Sequence, residues 1–168
     1  MATPEQIKVA NATSRNSAAI GAKAITPKMV RRYLEDTQQK KAKVLDFGSG
    51  KAAAHAVAMR EDGFNVVAHE FGDNVNPEVH DTHALEQFYS VVYASNVLNV
   101  QSDEDMLRET LKDISYVLTI GGVFFANYPL NPRKSNMTAA QVEDVLRDYF
   151  DSVIRVGGTK QAPLWIMS

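Results

Sequence analysis

Apolar residues along this chain fall in two patterns, short unbroken runs and stripes spaced three or four positions apart. The runs predict strands and the stripes predict helices. Thr26-Pro27 marks a helix start, with Thr26 as N-cap and Pro27 at the first helical position, where its missing N–H does no harm. That helix runs to about Lys40 and buries Met29, Val30, Tyr33 and Leu34. Lys43-Val44-Leu45-Asp46-Phe47 is the first strand and breaks at Gly48-Ser49-Gly50; an alanine-rich helix follows from Lys51 to about Asp62. Residues 65–68, 77–80 and 88–94 are three further strands. The next helix opens at Ser102-Asp103-Glu104-Asp105, whose acids suit the positive end of a helix. It carries Leu107, Leu111, Ile114 and Leu118 on one face and stops at Gly121-Gly122. A strand at 123–126 follows. Thr138 and Gln141 then have capping-box spacing before a last stripe of Val142, Val145, Leu146 and Tyr149. Two strands at 152–156 and 162–167 close the chain.

Strands that alternate with helices favour a parallel sheet covered on both faces. The last two strands stand too close for a parallel crossover, so they form an antiparallel hairpin. The expected fold is α/β: an open, doubly wound, mostly parallel sheet of seven strands with a C-terminal antiparallel hairpin. Residues 1–25 show weak periodicity and many small polar residues.

The 168 residues suit one domain with a buried core. Charge divides them unevenly. Residues 1–43 hold nine Lys or Arg and three acids, whereas 44–168 hold nine bases and seventeen acids. We therefore separate an N-terminal arm and helix (1–42) from a body (43–168). The absence of Cys removes disulfides, thiol nucleophiles, Cys-based zinc sites and iron–sulfur clusters, and is compatible with the reducing cytoplasm, the expected location. No apolar run approaches the ~18 residues that span a bilayer, and residues 1–24 lack the apolar core of a signal peptide, so no membrane partner is expected.

The turn at Gly48-Ser49-Gly50 is the strongest chemical feature, because open α/β sheets bind ligands at the carboxyl ends of their strands. A phosphate-cradling P-loop needs a glycine where Leu45 stands and a hydroxyl where Ala52 stands. A dinucleotide fingerprint aligns weakly on Gly48, Gly50 and Ala53, but Asp46 would repel a pyrophosphate. The same carboxylate attracts an ammonium, which S-adenosylmethionine carries beside its sulfonium. Val44-Leu45-Asp46-Phe47-Gly48-Ser49-Gly50 resembles the first motif of the class I S-adenosylmethionine-dependent methyltransferases, a hydrophobic strand followed by D/E-x-G-x-G. The resemblance covers roughly residues 40–168; Ala52 stands where many members have a third glycine. It implies a Rossmann-like methyltransferase fold with strand order 3-2-1-4-5-7-6 and S-adenosyl-L-methionine as cofactor.

The resemblance also implies site residues. Asp46, Gly48, Ser49 and Gly50 would form the turn against the cofactor. Glu70 closes the second strand, twenty residues after Gly50, where the family's ribose-binding acid stands; its two oxygens can accept both ribose hydroxyls. Asp81, with Thr82 beside it, resembles the acid that meets the adenine amino group, and Ser95 would flank the methionine end. Arg15, in an arm that many small members use as a lid, has the planar fork that suits the cofactor carboxylate. Asn96, Asn127 and Tyr128 are the candidate substrate contacts. Asn127-Tyr128-Pro129-Leu130 is superficially similar to the N/D-P-P-Y/F motif of amino-methyltransferases, but follows the fifth expected strand rather than the fourth. His80-Asp81-Thr82-His83 is too sparse for a metal site, and none is expected; His83 is the preferred histidine if a general base is used, but surface or ribose-adjacent packing is the favoured role. No catalytic residue is assigned.

The expected function is methyl transfer from S-adenosylmethionine to an acceptor, a small molecule in preference to a nucleic acid. The basic arm is the one hint of an anionic acceptor, and a homo-oligomer is left open. A non-catalytic cofactor-binding partner subunit is the alternative, followed by an NAD-binding oxidoreductase.

Overall fold

The computed structural model describes residues 3–6, 24–156 and 161–168. Its centre is a six-stranded sheet in the order β2-β1-β3-β4-β6-β5. The strands are β1 (Lys43–Phe47), β2 (Asn65–His69), β3 (Tyr89–Ala94), β4 (Leu118–Asn127), β5 (Val153–Val156) and β6 (Leu164–Met167). β1 to β4 are parallel, while β6 runs antiparallel to both β4 and β5.

Alternation along β1 sends its side chains to two cores. Val44 joins Val30 and Leu34 of helix α1 (Ile25–Asp36) and Met59 of α2 (Ala54–Glu61), with Tyr93 and Phe125 from the neighbouring strands. Leu45 and Phe47 join Leu107, Leu111 and Ile114 of α3 (Glu104–Val117) and Val142 and Leu146 of α4 (Ala139–Tyr149) on the other face. The helix preceding β1 is thus packed on the sheet, with Val30 and Leu34 fully buried.

Helix starts follow the expected chemistry at α3, where Asp103 accepts from the Met106 N–H at 2.8 Å, and at α4, where Thr138 and Gln141 form the reciprocal box. The expected N-cap at Thr26 is not formed. α1 begins two residues earlier, after Ala24, and the Thr26 hydroxyl instead donates to Asn127 Oδ1 at 2.8 Å. α3 ends at Val117 rather than at Gly121-Gly122. Leu118 pairs with Tyr89, and the sheet register then shifts, so that Val91 opposes Val123. The two glycines serve this bulge, Gly121 with φ +78°, and do not cap a helix.

The strand expected at 77–80 is absent, which makes six strands among the described residues where seven are expected. The Asn76 carbonyl accepts from both Val79 N–H (3.0 Å) and His80 N–H (2.8 Å), so the Asn76-Pro77 pair starts a turn. β2 is consequently an edge strand. Its outward carbonyls are nevertheless occupied: Arg60 Nε donates to that of Val66 at 2.6 Å, and the Asp81 N–H to that of Ala68 at 2.9 Å.

Because Leu34 is wholly enclosed, Leu34→Ala should lower unfolding stability by about 3 kcal/mol in urea titrations. A loss below about 1 kcal/mol would show that α1 is not part of the cooperative unit.

Candidate active site

The carboxyl ends of β1 and β2 are joined by polar contacts around the glycine turn. Gly48 has φ +69°, and a Cβ there would lie 2.8 Å from Val97 Cγ2, so both backbone and space demand glycine. Gly50 has φ +84° but open space where a Cβ would stand. Its N–H donates to Glu70 Oε2 at 2.7 Å, and the Phe71 N–H donates to Glu70 Oε1 at 2.9 Å. Ser49 donates to the His69 carbonyl through its N–H (2.8 Å) and its hydroxyl (3.1 Å), so that hydroxyl serves the scaffold. Burial pushes the Glu70 carboxyl above its ordinary range, opposed by the two N–H donors and by His80.

Asp46 projects into the α1/α2 side of the sheet and is 2 % exposed. Tyr93, its register partner on β3, donates its hydroxyl to Asp46 Oδ2 at 2.8 Å. Desolvation raises the carboxyl to about 7 despite that hydrogen bond, with Glu70 adding repulsion and Arg60 relieving part of it. Such a carboxylate is well suited to a cationic partner, which would restore the charge balance that burial removes.

Asp81 is exposed and lies just beyond the end of β2, tied there by its own N–H to Ala68. Its carboxyl is held low by the His83 N–H, then by the Gln87 amide, each at 2.8 Å. Thr82 is exposed beside it. The two histidines of that tetrad separate: His80 is buried against the glycine turn, whereas His83 is exposed and bonded to Glu86.

Ser95 and Asn96 follow β3, Asn96 with φ +57°. Asn127, at the end of β4, accepts the Asn96 N–H at 2.9 Å and donates to Asn96 Oδ1 at 2.8 Å, so these two substrate candidates form one reciprocal pair. Tyr128 is fully buried, and its hydroxyl donates to the Met137 carbonyl at 2.7 Å, so its side chain faces the core. Arg15 lies outside the described residues. Near the same end of the sheet, a cavity of about 450 Å³ is lined by Asp103, Glu104, Asp105, Asn136, Met137 and Gln141. Gln6 reaches its rim, with Nε2 at 3.2 Å from Ser102 Oγ and 3.3 Å from Asp103 Oδ2. Lys40, Lys41 and Lys43 gather at the opposite end: Lys40 lies over the Phe64 ring, Lys41 donates to the Gly63 carbonyl and Lys43 lies over Tyr89.

Sequence reasoning overlooked Tyr93 and any site role for Thr26, and weighed His80 as a metal ligand, a general base or a packing residue without tying it to the glycine turn. The register that sets Tyr93 beside Asp46 is the signal for the first; nothing local to Thr26 announces its bond to residue 127.

No protein-family model and no curated protein sequence matches the chain. Solved structures are similar in shape. A magnesium protoporphyrin IX methyltransferase from Synechocystis with bound SAM superposes with a TM-score of 0.64 at 16% identity, covering 85% of this chain and 78% of that one. A TehB-like SAM-dependent methyltransferase from Corynebacterium glutamicum gives 0.61 at 14% identity over 99% and 100%. A 1,6-didemethyltoxoflavin-N1-methyltransferase from Burkholderia thailandensis gives 0.61 at 16% identity over 99% and 89%. The fold is that of the class I S-adenosylmethionine-dependent methyltransferases. Within this methyltransferase fold, the strand order observed is the expected one with its third strand removed.

The raised Asp46 pKa has a sign that can be measured. The folded chain holds this proton more tightly than the unfolded chain, so Asp46 destabilises the fold increasingly as pH rises from about 4 to about 7. Asp46→Asn should therefore be more stable than wild type at pH 8 by on the order of 4 kcal/mol, the gap closing toward pH 4. Urea unfolding at both pH values checks this; a gap independent of pH contradicts it.

Proposed function

We propose that the chain is an S-adenosylmethionine-dependent methyltransferase. The observation that carries this reading is the joint at the ends of β1 and β2: a glycine turn in left-handed backbone whose Gly50 N–H is bonded to the Glu70 carboxylate, with buried Asp46 beneath it. Two acids at this joint disfavour a pyrophosphate and favour a ligand with cationic and hydroxyl groups. The residues fit the cofactor. Glu70 retains acceptor capacity beyond its two N–H bonds and would take the ribose hydroxyls; Asp46 would face the ammonium; Asp81 and Thr82 would border the adenine, and Ser95 the methionine end. Bound there, S-adenosylmethionine supplies a methyl group already activated on a sulfonium.

What remains for the chain is to hold and align. The Asn96–Asn127 pair, fixed by the Thr26 hydroxyl, makes a rigid wall between the ends of β3 and β4 against which an acceptor is oriented. Residue 6 lies at this same end, which supports an N-terminal segment acting as a cover. The acceptor is a small molecule on this reading. The lysine cluster lies at the far end of the sheet from these residues. That placement works against a polyanion as acceptor. Among the described residues no helix is long and apolar enough to cross a membrane, and a cytoplasmic setting fits the cysteine-free chain.

Differential scanning fluorimetry tests the reading. S-adenosylhomocysteine at ~100 times its Kd should add about 2.7 kcal/mol of stability, a rise of several degrees in Tm, whereas NAD should add none. Glu70→Ala should remove most of the shift. A wild-type chain with no response to S-adenosylhomocysteine or S-adenosylmethionine sinks the proposal.

A further inference from the structure

We propose that His80 is a positioning residue of this site, whose imidazole locks the Gly50 peptide and through it sets the orientation of Glu70. The inference rests on the cofactor reading above and adds to it the group that keeps the glycine turn in shape before any ligand arrives.

His80 is only 4 % exposed and its ring is bonded on both sides. The Asn76 N–H donates to Nδ1 at 2.8 Å, which leaves that nitrogen as an acceptor and puts the ring proton on Nε2. Nε2 lies 2.8 Å from the Gly50 carbonyl and therefore donates to it. The same carbonyl accepts the Ala53 N–H at 3.1 Å, and the Gly50 N–H is bound to Glu70 at 2.7 Å. Every hydrogen-bonding group of Gly50 is thus engaged. This matters because no heavy atom lies within 4 Å of the place where a Cβ of Gly50 would stand, so polar contacts fix this residue where packing does not.

The anchor is itself rigid. The His80 N–H returns to the Asn76 carbonyl at 2.8 Å, and the next residue, Asp81, is tied to Ala68 of β2. The segment that replaces the expected strand therefore delivers an imidazole to the turn from a fixed base. A turn held in this way does not have to be ordered when the ligand binds, and that saving appears as affinity.

The test compares two substitutions of similar bulk. His80→Gln keeps an N–H donor at the reach of Nε2, while His80→Leu fills space without one. Calorimetric titration with S-adenosylhomocysteine should show His80→Leu binding about tenfold more weakly than wild type and His80→Gln within about threefold, with similar Tm values for the two unliganded variants. Equal affinity in both variants, or losses that merely follow a lowered Tm, would overturn the role of His80 and leave the cofactor reading intact. Failure of the wild type itself to bind would overturn both. A second measurement needs no variant: ¹⁵N NMR of the wild-type ring should report the Nε2–H tautomer, and an Nδ1–H tautomer at neutral pH would refute the proposal.

Discussion

The bond between the Glu70 carboxylate and the Gly50 N–H is the contact on which the carboxyl end of the sheet depends. It joins a strand end to a turn that has little side-chain packing of its own, and it sits where burial makes an unpaired carboxylate costly. Glu70 meets this cost by accepting two backbone N–H groups, its own neighbour's and that of Gly50. The geometry of the turn and the charge state of the acid are therefore one problem with one solution. Gly48 adds a steric lock against Val97, and Ser49 ties its N–H and hydroxyl to the carbonyl of His69. Three successive residues of the turn are held to three different partners.

Asp46 shows the opposite arrangement. Its carboxylate is closed off from water with a single phenol as donor, an expensive position for a charge. A core residue chosen for stability would not be ionisable there. Stability and ligand attraction pull in opposite directions at this residue, as they do at many binding sites.

Much of this arrangement was legible in the sequence because its signals are local. The order of strands and helices followed from periodicity, the cap of α4 from Thr138 and Gln141, and the turn from its glycines. The failures have a shared cause, competition from distant partners. Thr26 has every local qualification for an N-cap, yet its hydroxyl goes to Asn127, 101 positions away. Residues 77–80 have the pattern of a short strand, but the Asn76 carbonyl captures two N–H groups that a ladder would need. Gly121 and Gly122 resemble a helix stop because a bulge and a C-cap ask for the same backbone freedom. The position of Tyr128 after a strand says nothing of the Pro163 carbonyl that accepts its N–H or of the burial of its ring, both of which depend on residues far along the chain.

The shortened sheet has a further consequence at its outer rim. A parallel strand left without a neighbour exposes a row of carbonyls and amides that another chain could extend, the usual seed of unwanted strand addition. On β2 the outward carbonyls of Val66 and Ala68 are already occupied, one by the guanidinium of Arg60 and one by the amide of Asp81. A charged side chain and a tethered loop do the work of a seventh strand. The molecule thus ends its sheet there with two acceptors of that rim already taken, so an added strand would have to displace them before it could pair.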